Sequence, residues 1–239
     1  MCKKSKEKMI EYYRKTFFKM NEKKKKYFEK VISAGYDTVD DNIVPCSNLC
    51  ILLSCPGEEE FLTQKVAAGQ TGANLEKIIN LLLRGKVDLK IAPKSNDESN
   101  CEIRYRCSII NASNHVYFRT VNSSEPTNDE LEDENNTKRF KESLEKIEHI
   151  KYFLVCGENA KCLFDEIIAI DKKYIGCFYS LVPHIGNVGI RNAYPNSFEY
   201  DGKRIKDLEE NERDNKRIKL IAERIENDFK ERTISAKEN

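Results

Sequence analysis

The chain has 239 residues, enough for one sizeable core. Hydrophobic residues make up 39% and charged residues 34%, with a net charge of +1, the balance of a globular protein with a heavily charged surface. No apolar run approaches the roughly 20 residues that span a bilayer, and the opening Met1-Cys2-Lys3-Lys4-Ser5-Lys6 lacks the apolar core of a signal peptide. These features lead us to expect a cytoplasmic protein without a membrane partner, taken as a monomer. Its nine cysteines, an odd number, should be mostly reduced.

Residues 4–33 read as a long helix, with Ile10, Tyr13, Phe17, Met20, Phe28 and Ile32 at roughly helical spacing and lysines between them. Residues 1–30 hold twelve Lys or Arg against four Glu, which suits phosphate contact and equally a solvated helix face. Gly35 closes this segment. Cys46 and Cys50 form a CxxxC, read as two buried or partly buried thiols, because a zinc site needs further ligands that the sequence does not offer.

The run Leu49 to Ser54 is continuously apolar up to its last residue, as a parallel strand covered on both faces should be. A loop from Cys55 to Gly72 leads into a helix over Ala73 to Leu83, stopped by Gly85. A short strand candidate and a polar stretch over 88–100 follow. Residues 103–110 read as a strand and 111–126 as a second long loop. Thr127 and Glu130 form a capping box that opens a helix to about Glu148, and the acidic stretch over 125–134 is unsuited to phosphate. Tyr152 to Cys156 reads as a strand and Ala160 to Ile170 as a helix. Cys177 to Val182 is a strand ending at Pro183-His184. A Gly- and Asn-rich loop runs to about residue 200, and a charged helix over 205–232 ends the pattern.

This alternation predicts an α/β, three-layer α-β-α architecture with a small, mainly four-stranded parallel sheet, plus N- and C-terminal helices. Residues 1–40 would form a basic helical extension, 45–195 the α/β core and 203–235 a C-terminal helix, all within one domain. Ligands of such sheets bind outside the carboxyl ends of the strands. Cys55–Gly72, Asn111–Pro126 and His184–Tyr194 each follow a strand, so they should converge on one crevice.

The first of these segments reads Ser54-Cys55-Pro56-Gly57-Glu58-Glu59-Glu60, then Ala67-Ala68-Gly69-Gln70-Thr71-Gly72-Ala73-Asn74-Leu75. It resembles the first motif of the uracil-DNA glycosylase superfamily, nearest its iron–sulfur branch, in the spacing from Pro56-Gly57 through Glu60 to Gly69 and Gly72. Asn111 is similar to the family's base-reading Asn. Cys156-Gly157-Glu158-Asn159-Ala160 resembles its strand-to-helix turn, and Pro183-His184-Ile185-Gly186-Asn187 stands where the family has His-Pro-Ser. The resemblance covers about residues 45–195. It implies a DNA glycosylase that flips a base out of DNA and hydrolyses its N-glycosidic bond.

On this reading Ser54, Cys55, Pro56, Gly57, Ala67 and Asn111 surround the base. Asn111 offers both a donor and an acceptor to a base edge, and His184 stabilises the departing base. Gly69 and Gly72 bring backbone, and a helix N-terminus, to a DNA phosphate, with Asn187 and Arg191 as further phosphate contacts. Val188 or Ile190 fills the gap left by the flipped base. His115 and His149 have weaker claims.

Three departures from the family pattern matter. Its water-activating carboxylate would fall at Ser54 or Cys55, so an active enzyme would draw on Glu58, Glu59 or Glu60; Glu60 is the aligned residue and also reads as a structural carboxylate. Its stacking aromatic aligns with Ala67, beside Ala68, which suggests room for a bulky modified pyrimidine such as glucosylated hydroxymethylcytosine of phage DNA. The cluster cysteines are missing, so no metal or cofactor is expected. The alternatives are a uracil-DNA glycosylase of base-excision repair and an inactive, glycosylase-like DNA-binding protein. No GxGxxG, GxxxxGK[ST] or GxSxG occurs, which leaves dinucleotide, Walker-type and hydrolase-triad sites unsupported.

Overall fold

The computed structural model describes residues 38–93, 102–117 and 125–235. The basic helix expected over 4–33 lies outside these residues. Four parallel strands form the central sheet in the order β2-β1-β3-β4: β1 Leu49–Leu53, β2 Ser108–Asn111, β3 Tyr152–Cys156 and β4 Phe178–Val182. Each strand is short and apolar. The first three are buried along their whole length, as two covered faces require.

The pleat sorts alternate residues to two cores. Leu49, Ile51, Leu53, Ile109, Leu154 and Val182 meet α2 (Gly69–Arg84) and α7 (Glu210–Glu231) through Leu75, Ile78, Ile79, Leu82, Ile218, Ile221, Ile225 and Phe229. On the other face Cys50, Leu52, Ile110, Phe153 and Val155 meet Phe140 and Leu144 of α4 (Glu134–Glu145), and Ala160 and Leu163 of α5 (Glu158–Leu163). The α-β-α layering is therefore as expected, with α1 (Glu58–Thr63), α3 (Asn128–Leu131), α6 (Asn187–Ala193) and a hairpin of β5 (Glu199–Tyr200) and β6 (Lys203–Arg204) as additions.

Several local expectations are corrected. Helix α2 starts at Gly69 rather than Ala73. Residues Ile103–Arg106 form a 3-10 turn, and the strand begins only at Ser108. The helix expected from Thr127 to Glu148 is broken into α3 and α4, because Asp133 caps a new start by accepting from the Asn135 and Asn136 N–H groups. The helix expected to reach Ile170 widens to a π-turn over Phe164–Ile168. Residues 187–193, read as loop, form α6, and the last long helix begins at Glu210 instead of 205. Residues 86–90 form no strand; Lys90 pairs with Asn48 through its backbone N–H and carbonyl.

Candidate functional site

The carboxyl ends of the four strands carry Asn111, Ser54, Gly157 and His184 in the order β2-β1-β3-β4. Three strand spacings separate the outer two, about 14 Å of backbone, a width that a nucleoside with its flanking side chains can fill.

Asn111 pairs in register with Leu53, so the pleat places it on the α2 side of the sheet. Its backbone is tied down from both ends. Its N–H donates to Asp41 Oδ1 at 3.0 Å and its carbonyl accepts from Arg139 Nη2 at 2.8 Å. Asp41 also accepts from Arg139 Nη1 at 2.6 Å and from Ser143 Oγ at 2.8 Å. Burial raises the Asp41 carboxyl above its usual range, against the lowering pull of Arg139. The Asn111 side chain is fully buried, yet neither its Oδ1 nor its Nδ2 has a hydrogen-bond partner among the described residues. A buried amide left unpaired at both ends costs roughly 1–3 kcal/mol per group, and such a group calls for an explanation.

His184 is half-buried, and its Nδ1 accepts the Gly186 N–H at 3.0 Å. With Nδ1 taken up as an acceptor, Nε2 is the ring nitrogen left to donate a hydrogen bond. The turn around it depends on two glycines, Gly186 of the His184 motif and Gly189, to which the sequence alone gave no role. A Cβ on Gly186 would come 2.9 Å from His184 Nδ1, and one on Gly189 would come 2.0 Å from the His184 carbonyl oxygen. Asn74, buried on α2, clamps the same turn by donating to the Ile185 carbonyl at 2.8 Å and to Asn187 Oδ1 at 3.1 Å. Gly157 has φ +92, the left-handed region that favours glycine, where β3 turns into α5 beside His184.

Between these two outer residues lies a cluster that sequence reading did not anticipate. Glu125 brings its Oε2 onto the hydroxyl of Ser54. Asn159 Nδ2 donates to both, at 2.9 Å to Ser54 Oγ and 2.5 Å to Glu125 Oε2. Ser54 is buried while Glu125 is exposed. The one signal in the sequence was an acid just before Pro126, at the end of a loop that had to return to the crevice.

The structure reassigns other expected site residues. Glu60 is buried, and its two carboxylate oxygens accept the backbone N–H groups of Gly57 and Ala67, each at 2.5 Å. It braces the 57–67 loop, as a structural carboxylate does. Burial outweighs those two bonds and pushes its carboxyl up to about 7. Glu58 and Glu59 stay exposed on α1. Ala67 is fully buried in the α2-side core with φ +52, so it does not wall an enlarged pocket, and the space argument for a bulky base falls.

Gly72 is buried in α2, where a Cβ would meet the Ala67 carbonyl oxygen at 1.6 Å. It serves that internal packing rather than a phosphate. Gly69 is exposed with φ +66, and Glu59 is its nearest neighbour across space, a poor setting for an anion. Ile190 is buried in the core and cannot be the wedge, whereas Val188 on the same helix is 74% exposed. Arg191 pairs with Asp214 at 2.8 Å, and Asn187 spends its Oδ1 on Asn74. Pro56 is buried, and Cys55 and Gly57 are half-buried at the head of the loop.

His115 sits by a cavity of about 710 Å³ whose wall includes Asp129, Glu130, Asp133 and Arg139, an acidic lining unsuited to a phosphate. His149 is exposed, beyond the end of α4. The described cysteines do not fit a metal cluster: Cys46 is exposed, Cys50 is buried in β1, and no disulfide joins them. The ligand atoms that do gather, on Glu132, Cys162 and Glu166, are two exposed acids and one thiol. Among the described residues no helix is long and apolar enough to cross a membrane. No protein-family model matches the chain, and no curated protein matches it in sequence.

Proposed function

We propose that this chain is a DNA N-glycosylase that takes a pyrimidine out of the helix and hydrolyses its glycosidic bond to leave an abasic site. The observation that carries the reading is Asn111. A rigidly held amide, buried with both its donor and its acceptor unpaired among the described residues, suits a ligand edge that offers one of each, as pyrimidines do. Its place at a strand end, where α/β sheets bind their ligands, supports the same reading, as does the order of motifs in the sequence.

His184, donating through Nε2, would stabilise the charge that grows on the departing base. A preorganised donor of this kind contributes roughly 3–4 kcal/mol. Val188, exposed at the start of α6 just after His184, would enter the gap that the base leaves. DNA is thus the proposed partner, and the Asn111 edge fits uracil and modified cytosines alike.

A panel of uracil-containing, hydroxymethylcytosine-containing and glucosylated phage DNA, each treated with alkali after incubation, tests this. Strand cleavage in at least one substrate is the expected result and also names the base. DNA bound without cleavage of any of them would move the assignment to an inactive binding protein.

A further inference from the structure

We propose that Glu125 is the carboxylate that activates water at this site, with Ser54 and Asn159 as its positioning residues; the inference rests on the glycosylase reading. Ser54 directly follows β1 and Asn159 lies in the first turn of α5, just after β3, so the Glu125 carboxylate is drawn to the middle of the strand ends by groups that follow the two central strands. Its Oε2 is held by the Ser54 hydroxyl and the Asn159 amide. A fixed carboxylate that stays exposed can reach water, which a general base must do. Glu60 is buried and spends an oxygen on each of two backbone N–H groups inside the loop, so the exposed Glu125 is the better placed of the two to meet water.

In the proposed step Glu125 takes a proton from water as the water oxygen bonds to C1′ of the sugar and the C1′–N bond breaks. The bonding electron pair leaves with the base. The proton on Glu125 then passes to that base through solvent, so the sugar gains a hydroxyl, the base gains a hydrogen, and the carboxylate is restored.

The test is single-turnover base release by Glu125→Gln on whichever panel DNA the wild type cuts, with strand binding and melting measured on the same samples. The rate should fall by about 100-fold or more, while binding is retained or tightened because a negative charge is lost near phosphates. The rate should also lose its decline at low pH. Asn159→Ala should lower kcat with the dissociation constant unmoved and move the acid limb to higher pH, because the carboxylate loses a donor to its charged form, an effect that a purely structural role would not produce. A Glu125→Gln enzyme within about threefold of wild type and with its acid limb intact overturns the assignment of Glu125 alone. A wild type that cuts none of the panel overturns the glycosylase reading and this inference with it.

Discussion

Asn111→Leu separates the two consequences of an unpaired buried amide. Leucine has the same branching at Cγ but no polar atom, so it removes the orphan donor and acceptor together. Each unmet group costs roughly 1–3 kcal/mol in the folded chain. Refitting an apolar side chain of similar shape should cost under about 1.5 kcal/mol. For the two groups together the net expectation is a gain of at least about 0.5 kcal/mol and up to several, with about 2–4 °C in Tm for each kcal/mol in a chain of this size. Urea and thermal unfolding measure that gain, with base release followed in parallel. Release should fall at least about 100-fold, because a base edge that needs two hydrogen bonds finds none. A variant that melts lower than wild type and still releases base at the normal rate would refute the reasoning. It would mean that the amide is paired in solution and structural in purpose.

Three other perturbations probe the remaining parts. His184→Ala should slow single-turnover release by about 10²–10³-fold with little change in strand binding, read by quench-flow. Val188→Ala should slow release from duplex DNA by about fivefold and leave single-stranded substrate untouched, since only a duplex has a gap to fill. For Glu60, the folded carboxyl sits at about 7 against an ordinary value of 4.5. The folded state therefore binds the extra proton between these values, and its contribution to stability, roughly 3 kcal/mol, is full below pH 4.5 and lost as pH rises through 7. Denaturant unfolding from pH 4.5 to 7.5 should show that loss, and Glu60→Gln should flatten it.

The sheet was legible because each strand is a short apolar run between turn residues, and the topology followed from their alternation with helices. Helix boundaries were less so. Asp133 sits inside a helical pattern, and only the fold decides that its side chain caps a new start. Residues 187–193 are rich in Gly and Asn, yet Asn74 and the packing of Ile190 hold them as a helix. Glycine was ambiguous for the same reason: Gly72 gives room to the Ala67 carbonyl, and Gly189 to His184. Asn111 and His184 were singled out because their motifs carry the family resemblance and because one ends a strand and the other stands just past one. That the Asn111 amide is unpaired, that Ala67 is buried and that Glu125 reaches Ser54 all depend on contacts between distant segments. Spacing along the chain does not contain them.

The central claim is that the chain breaks the bond between base and sugar and no other. Mass spectrometry of the small molecules released from the cut member of the DNA panel tests this most directly. The account predicts a free pyrimidine from wild type, at strongly reduced yield from His184→Ala, with an abasic sugar left in an otherwise intact strand. Release of a nucleoside or nucleotide, or of nothing at all, would contradict it.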